Sequence, residues 1–190
     1  MKTIGHHTVQ DRGNPDYVEK NAPFVSVGSS AFLGPGYYFW EKDFDLAHWW
    51  GRVHYNNEYM ICEAAIECDD ELYLDLVGNK DNMREMMHLS KVFGQQIKIG
   101  LKVEEVTLET LIKYCREANQ NTRGLFPYKI IRSVDVSPIM TEKTRTSIIK
   151  YTSKKSNFTD LNPRIIICLS EKRDMLSRGI KIIHPKKYLL

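Results

Sequence analysis

The sequence predicts an α+β fold: a single domain over residues 1–190, with a split, mainly antiparallel β-sheet core and peripheral helices. Segments of strand character lie near both ends of the chain, whereas the two longest segments of helical period lie between them. A chain of 190 residues with 42% hydrophobic content can bury one good core. No internal repeat, low-complexity tract or Pro/Gly-rich linker divides the chain, so we expect one domain.

The first third of the chain predicts strands around one helix. Turn-forming residues separate the first two strands, and apolar residues at helical spacing follow the second. The last strand alternates apolar and polar residues. The predicted elements are a strand at 3–8, a loop at 11–15, a strand at 37–40, a helix at 43–52, and strands at 59–66 and 72–76.

The rest of the chain predicts two helices and then a return to strands. Both helices carry apolar residues at helical spacing. Thr107 is the expected N-cap of the second helix, with Thr110 where a capping-box glutamate would stand. The predicted elements are helices at 82–93 and 107–119, and strands at 128–136, 148–151, 164–169 and 180–184.

Charge is distributed unevenly along the chain. Residues 141–190 hold 12 Lys and Arg against 4 Asp and Glu, a net charge of +8, whereas residues 1–140 hold 15 against 20 and are net −5. A basic surface of this size attracts phosphates, which could belong to a dinucleotide, a nucleic acid or an acidic protein. The alternative is a solvated basic face with no partner.

Cysteine usage and hydropathy bear on the compartment. The four cysteines form no CxxC pair and have no histidine nearby at ligand spacing, so we expect reduced thiols on apolar faces and no metal site. No apolar run approaches the roughly 20 residues of a membrane helix, and the N-terminus lacks the apolar stretch of a signal peptide. We therefore expect a cytoplasmic protein with no membrane contact.

The most informative segment reads Gly-Pro-Gly-Tyr-Tyr-Phe-Trp-Glu over residues 34–41. Two glycines permit a tight turn, and the aromatic run then leads into a helix that carries more rings. Flat rings at a concave site suit a flat ligand such as a nicotinamide or a base. The alternative is that these rings belong to the core.

The sequence resembles the diphtheria-toxin-like and poly(ADP-ribose) polymerase-like ADP-ribosyltransferases, which are known by a His-Tyr-Glu triad. Residues 4–8, Ile-Gly-His-His-Thr, are similar to their His-Gly-Thr/Ser motif, and residues 34–39 are similar to Gly-x-Gly-x-Tyr-Phe. Trp49 follows Tyr38 at the offset of the polymerases' second stacking ring. Residues 60–66 resemble their Ser/Cys-Glu-Val-Ala-Leu strand. The four elements occur in the family's order.

The resemblance implies NAD as substrate and gives roles to the first motif. His6 falls where the family histidine binds the ribose next to nicotinamide. His7 falls where the family has glycine, whose backbone holds the carboxamide, and Thr8 completes this motif. In an alternative alignment His7 is the motif histidine, with Thr8 in the glycine position.

The second motif supplies the expected ring-stacking site. Tyr38 and Trp49 would stack on the two faces of the nicotinamide ring. Gly36 belongs to the NAD-binding set through its place in Gly-x-Gly-x-Tyr-Phe. His6 and Tyr38 would be two members of the catalytic triad.

The third triad member departs from the family pattern. The family glutamate opens a late strand, and the best candidate strand here, at 164–169, opens on Arg164. A cation there opposes the positive charge that develops as nicotinamide leaves, although it could hold a phosphate or a carboxylate. Asp160 and Glu171 flank the strand, and Glu171 is the candidate catalytic carboxylate if the register differs.

We therefore expect an NAD-dependent mono-ADP-ribosyltransferase that modifies a macromolecular acceptor. The basic stretch at 141–160 would favour an acidic or nucleic-acid acceptor. One alternative is a catalytically impaired module that binds NAD or ADP-ribose. Another is a nucleic-acid-associated protein that uses its basic C-terminal face.

Overall fold

The structure is a computed structural model that describes residues 1–28, 31–98, 106–135, 148–152, 158–172 and 175–189. The strands in these ranges are β1 (Lys2–Gln10), β2 (Tyr37–Glu41), β3 (Tyr59–Glu67), β4 (Tyr73–Asp75), β5 (Ile130–Val134), β6 (Ile148–Lys150), β7 (Phe158–Asp160), β8 (Ile165–Leu169) and β9 (Leu176–His184). The helices are α1 (Pro15–Asn21), α2 (Phe44–His54), α3 (Lys80–Lys98) and α4 (Leu108–Asn121).

Seven of these strands form one sheet in the order β4-β5-β8-β2-β1-β3-β9. Every pair in it is antiparallel except β4 with β5. Strands β6 and β7 form a separate antiparallel pair. The predicted α+β class, with a mainly antiparallel sheet, is confirmed.

The sheet opens between β1 and β2. Strand β1 pairs with β3 along its whole length, from Lys2 to Gln10, but it pairs with β2 at only two positions, Gly5 and His6. Beyond His6 the two strands separate while each keeps its outer neighbour, because β2 remains paired with β8 over all four of its aligned residues. This opening is the split of the sheet, and it places a cavity at the middle of the molecule.

Helices α2, α3 and α4 cover one face of the sheet, and α1 covers part of the other. Ala47 of α2 and Ile112 of α4 are fully buried in the larger core, whereas Val18 of α1 packs in a smaller cluster on the opposite face. Helix α2 lies very close to β3, since a Cβ on Gly51 would stand 2.3 Å from the Tyr59 ring. That close approach fixes the aromatic residues that α2 presents to the split.

The element boundaries differ from the prediction mainly where local signals are weak. Helix α1 begins at Pro15, inside the segment predicted as a loop, because proline at the first helical position is already in helical geometry. Strand β7 was not predicted, and β9 begins at Leu176 rather than residue 180. The predicted cap of α4 is confirmed: Thr107 and Thr110 form a reciprocal capping box.

Candidate functional site

A cavity of about 730 Å³ occupies the split between β1 and β2. Its volume lies within the range of about 300–1,000 Å³ that is typical of small-molecule sites. Aromatic rings from β2 and α2 meet polar side chains from β1 and from the segment that follows it. The lining residues that carry the argument are His6, His7, Thr8, Tyr38, Trp49 and Asp135.

Strand alternation places one set of site side chains on the face that α2 covers. His6 is directly opposite Trp40 in the β1–β2 ladder, and Trp40 is directly opposite Ile166 in the β2–β8 ladder. Since side chains two apart in a strand share a face, Thr8 and Tyr38 lie on that same side. His7 points to the other face.

His6 is buried near the start of α2. Its Nε2 is 3.3 Å from a carboxylate oxygen of Glu63, its partner on β3, and its ring centre is 5.7 Å from that of Phe44. Its Nδ1 is buried and has no hydrogen-bond partner among the described residues. His6 lines the cavity, but its unpartnered Nδ1 is shielded from it.

His7 bridges the two separating strands. The Phe24 N–H donates to Nε2 of His7 over 3.2 Å, so Nε2 carries no proton. Nδ1 must then carry the proton, and it donates to the carbonyl of Tyr38 over 2.8 Å. Both ring nitrogens are engaged, and burial lowers the pKa of His7 to about 4.

The buried neutral state of His7 predicts a loss of stability in mild acid. The pKa of His7 rises from about 4 in the folded chain toward 6.5 on unfolding, so the unfolded chain binds more protons below pH 6.5. Between pH 7 and pH 5 the free energy of unfolding should fall by about 2 kcal/mol from this residue alone. Urea titrations at both pH values measure the change.

His7→Gln is the control for that prediction, because it removes the titrating group and keeps a side chain that can donate and accept. Burial also lowers the pKa values of His48 and His184, so some pH dependence will remain in the variant. An equal loss of stability in the wild-type chain and in His7→Gln would contradict the assignment.

Thr8 joins β1 to α2. Its hydroxyl donates to the carbonyl of Ala47 over 3.0 Å, and the group is buried. The hydroxyl is thus engaged within the protein. Thr8 contributes to the cavity mainly by fixing the distance between β1 and α2.

Gly36 and Tyr38 are held by close packing against β8 and the preceding turn. A Cβ on Gly36 would lie 2.5 Å from the Cys168 Sγ and 2.7 Å from the Leu169 carbonyl oxygen, so only glycine fits there. The Tyr38 hydroxyl accepts from the Leu33 N–H and donates to the Gly34 carbonyl. Burial raises the pKa of Tyr38, so the phenol stays protonated.

Trp49 lines the cavity and contacts Arg164, which is not among the lining residues. The guanidinium carbon of Arg164 is 4.7 Å from the centre of the Trp49 ring, a cation–π contact. Trp49 packs edge-on against Trp40, with ring centres 6.5 Å apart. Tyr38 packs against Phe32 instead. Tyr38 belongs to β2 and Trp49 to α2, and both line the same cavity.

Neither acidic residue that flanks β8 lines the cavity. Glu171 forms an ion pair with Lys129 and lines a separate depression beside Met1. Asp160 ends β7, where its carboxylate accepts from the Asn162 N–H. The structure therefore does not bring Glu171 together with His6 and Tyr38.

Asp135 lines the cavity, and sequence reasoning missed it. It directly follows β5, and its N–H donates to the Arg164 carbonyl over 2.8 Å. Of the described residues that line the cavity, it is the only Asp or Glu. The pairing of β5 with β8 brings it there, and no local pattern in the sequence indicates that pairing.

The segment that follows β1 and the C-terminal part of α2 also line the cavity. Arg12 lies in this segment, and both its Nε and a terminal nitrogen donate to the Gln10 side-chain oxygen. Trp50 and His54 of α2 stack with ring centres 3.8 Å apart. Asn14 Oδ1 is buried without a hydrogen-bond partner among the described residues.

Part of the basic C-terminal charge is used within the fold. Lys172 Nζ donates to the Asn21 carbonyl over 2.7 Å, and Lys187 pairs with Asp11 at 3.0 Å. Five further cations of the predicted basic surface lie outside the described residues: Lys143, Arg145, Lys154, Lys155 and Arg173. The predicted acceptor-selecting stretch at 141–160 lies largely outside them as well.

The last expectations concern reduced thiols, metal sites and membrane-spanning helices. All four cysteines are free thiols, and Cys62, Cys115 and Cys168 are buried. Among the described residues, no three His, Cys, Asp or Glu side chains group as a metal site. In the same part of the chain, none of the helices combines the length and the apolar character needed to span a bilayer.

Comparison of the chain with models of protein families, with curated proteins and with solved structures gives no match.

Proposed function

We propose that this chain binds NAD in the cavity at the split of the sheet and transfers its ADP-ribose to a macromolecular acceptor. The observation that carries the proposal is the convergence of His6, Tyr38 and Trp49 on one cavity. These three residues come from three separate elements, and the resemblance to ADP-ribosyltransferases gives each of them a role toward NAD.

The lining of the cavity suits the two ends of a dinucleotide. Trp49 offers an aromatic surface for a nicotinamide ring near Tyr38, whereas Arg12 offers a cation for phosphate. His6 and Asn14 also line the cavity, although the unpartnered atoms His6 Nδ1 and Asn14 Oδ1 are themselves buried.

A non-catalytic NAD-binding module is the second candidate. It is favoured by Arg164, which directly precedes β8 at the position where the family has its glutamate. The Arg164 guanidinium lies over the Trp49 ring. It is also favoured by Glu171, which lies outside the cavity. In this reading the cavity retains NAD without cleaving it.

Binding of NAD should stabilise the folded chain. At a concentration 100 times its Kd, NAD should add about 2.7 kcal/mol to the free energy of unfolding. For a domain of this size, that corresponds to a rise in Tm of roughly 5–10 °C. Thermal unfolding followed by circular dichroism, with and without NAD, measures the shift.

Nicotinamide release then separates the two candidates. The transferase predicts that nicotinamide appears with time when NAD is incubated with the chain, whereas the binding module predicts a Tm rise without release. Nicotinamide alone and ADP-ribose alone serve as partial ligands. No Tm shift with NAD at millimolar concentration would contradict both candidates.

A further inference from the structure

We infer that Asp135 is the catalytic carboxylate of this site, in place of a glutamate on β8. The inference rests on the proposed function, since it assigns the group that would stabilise the ribose as nicotinamide leaves NAD. The resemblance places this carboxylate at the start of β8, whereas Asp135 lies at the end of the neighbouring strand, β5.

The backbone places Asp135 at the opening of β8. In the β5–β8 ladder Ser133 is opposite Ile166 and Val134 is opposite Ile165. The hydrogen bond from the Asp135 N–H to the Arg164 carbonyl continues this register by one step. Asp135 therefore lies across from the residue that opens the strand.

The side chain of Asp135 lies on the face of the sheet that α2, α3 and α4 cover. By strand alternation it shares a face with Ile131, which is fully buried in the core beneath α2 to α4. Ile166, on the same face of β8, lines the cavity together with Asp135. The carboxylate thus reaches the cavity on the same side of the sheet as His6 and Tyr38.

Transfer of ADP-ribose from NAD needs a negative charge beside the ribose carbon. The bond between the nicotinamide nitrogen and the ribose carbon breaks, and its electron pair leaves with nicotinamide, which becomes neutral. The ribose carbon then carries positive charge until a lone pair of the acceptor forms the new bond. The acceptor's proton passes to water, directly or through the carboxylate.

A carboxylate beside the ribose lowers the energy of that positive charge and can accept a hydrogen bond from a ribose hydroxyl. Of the described residues that line the cavity, Asp135 alone carries a carboxylate. Asp135 joins the cavity lining from β5, which lies on the far side of β8 from β2 in the sheet order.

Arg164 acts as a positioning residue in this arrangement. Its guanidinium lies over the Trp49 ring, and its backbone carbonyl holds the Asp135 backbone. The guanidinium is thereby directed toward the Trp49 ring.

The test compares Asp135→Asn with Asp69→Asn, which changes an exposed carboxylate outside the cavity. Both variants and the wild-type chain are assayed with NAD, with water as acceptor, for the release of nicotinamide. NAD binding is measured separately by calorimetry. We expect Asp135→Asn to lower the rate about 100-fold and to change the Kd less than about threefold, whereas Asp69→Asn changes neither.

Asp135→Glu is the second variant, and it should retain more activity than Asp135→Asn because it keeps the charge. If circular dichroism shows that Asp135→Asn is unfolded, the activity of Asp135→Glu tests the inference instead. Full activity in Asp135→Asn, or loss of activity in Glu171→Gln with Asp135→Asn unaffected, would overturn the inference and leave the proposed function standing. NAD binding by the wild-type chain without nicotinamide release would overturn the inference in favour of the binding module. Absence of NAD binding by the wild-type chain would overturn the proposed function itself.

Discussion

Replacing Trp49 by alanine is expected to weaken NAD binding by about 1–3 kcal/mol, which is roughly 5- to 150-fold in Kd. The ring lines the cavity, so its removal takes away a stacking surface for a planar ligand. It also removes the face over which the Arg164 guanidinium lies at 4.7 Å. Calorimetric titration with NAD, in a variant whose circular dichroism matches the wild-type chain, measures the change.

Tyr114→Ala is the matched control for Trp49→Ala. Tyr114 is a half-buried aromatic residue of α4 that stacks on Phe93, and it does not line the cavity. Both variants lose core contacts with the same cluster, so both should be less stable than the wild-type chain. Only Trp49→Ala should lose NAD affinity, and an equal Kd in both variants would exclude Trp49 from the NAD-binding site.

Much of the fold was predictable because its strands carry strong local patterns. The sequence predicted strands at 3–8, 37–40 and 59–66, and the structure contains them as β1, β2 and β3, with ends within about two residues. Helix α1 was not predictable in the same way. Val18 is the only residue of this short helix that is buried, so no helical period stands out in the sequence.

The site was predictable where one strand or helix carries the signal. Consecutive residues of a strand point to opposite faces, so only one of His6 and His7 could face α2. His6 does so, and both residues line the cavity. The sequence left the two alignments open, because the face that α2 covers depends on tertiary packing.

The position of Asp135 at the cavity was not predictable because it depends on pairing between distant strands. Glu171 follows Arg164 by seven residues, and at about 3.4 Å per residue it lies some 20 Å away, beyond the opposite end of β8. Asp135 precedes Arg164 by 29 positions in the sequence, yet a single backbone hydrogen bond of 2.8 Å joins them. Proximity along the chain favoured Glu171, which lies outside the cavity.

Gly36→Ala is expected to lower the free energy of unfolding by about 3 kcal/mol, because the new methyl group has no space to occupy. It would lie 2.5 Å from the Cys168 Sγ and 2.7 Å from the Leu169 carbonyl oxygen, and that oxygen belongs to a backbone already paired in the sheet. The backbone of Gly36 is also hydrogen-bonded to Ser26 in both directions. β2 would therefore have to move away from β8, and Tyr38 would move with it, so NAD affinity should fall as well.

Gly94→Ala provides the control for this change, since a Cβ on that helical glycine meets only an ordinary contact at 3.6 Å. Alanine there should raise the free energy of unfolding by about 0.5–1 kcal/mol, because it restricts the unfolded chain and favours the helix. Urea titration of both variants gives the two values with opposite signs. A Gly36→Ala chain as stable as the wild type would mean that β2 is not packed against β8 as closely as the structure has it, and the position assigned to Tyr38 in the cavity would then fail with it.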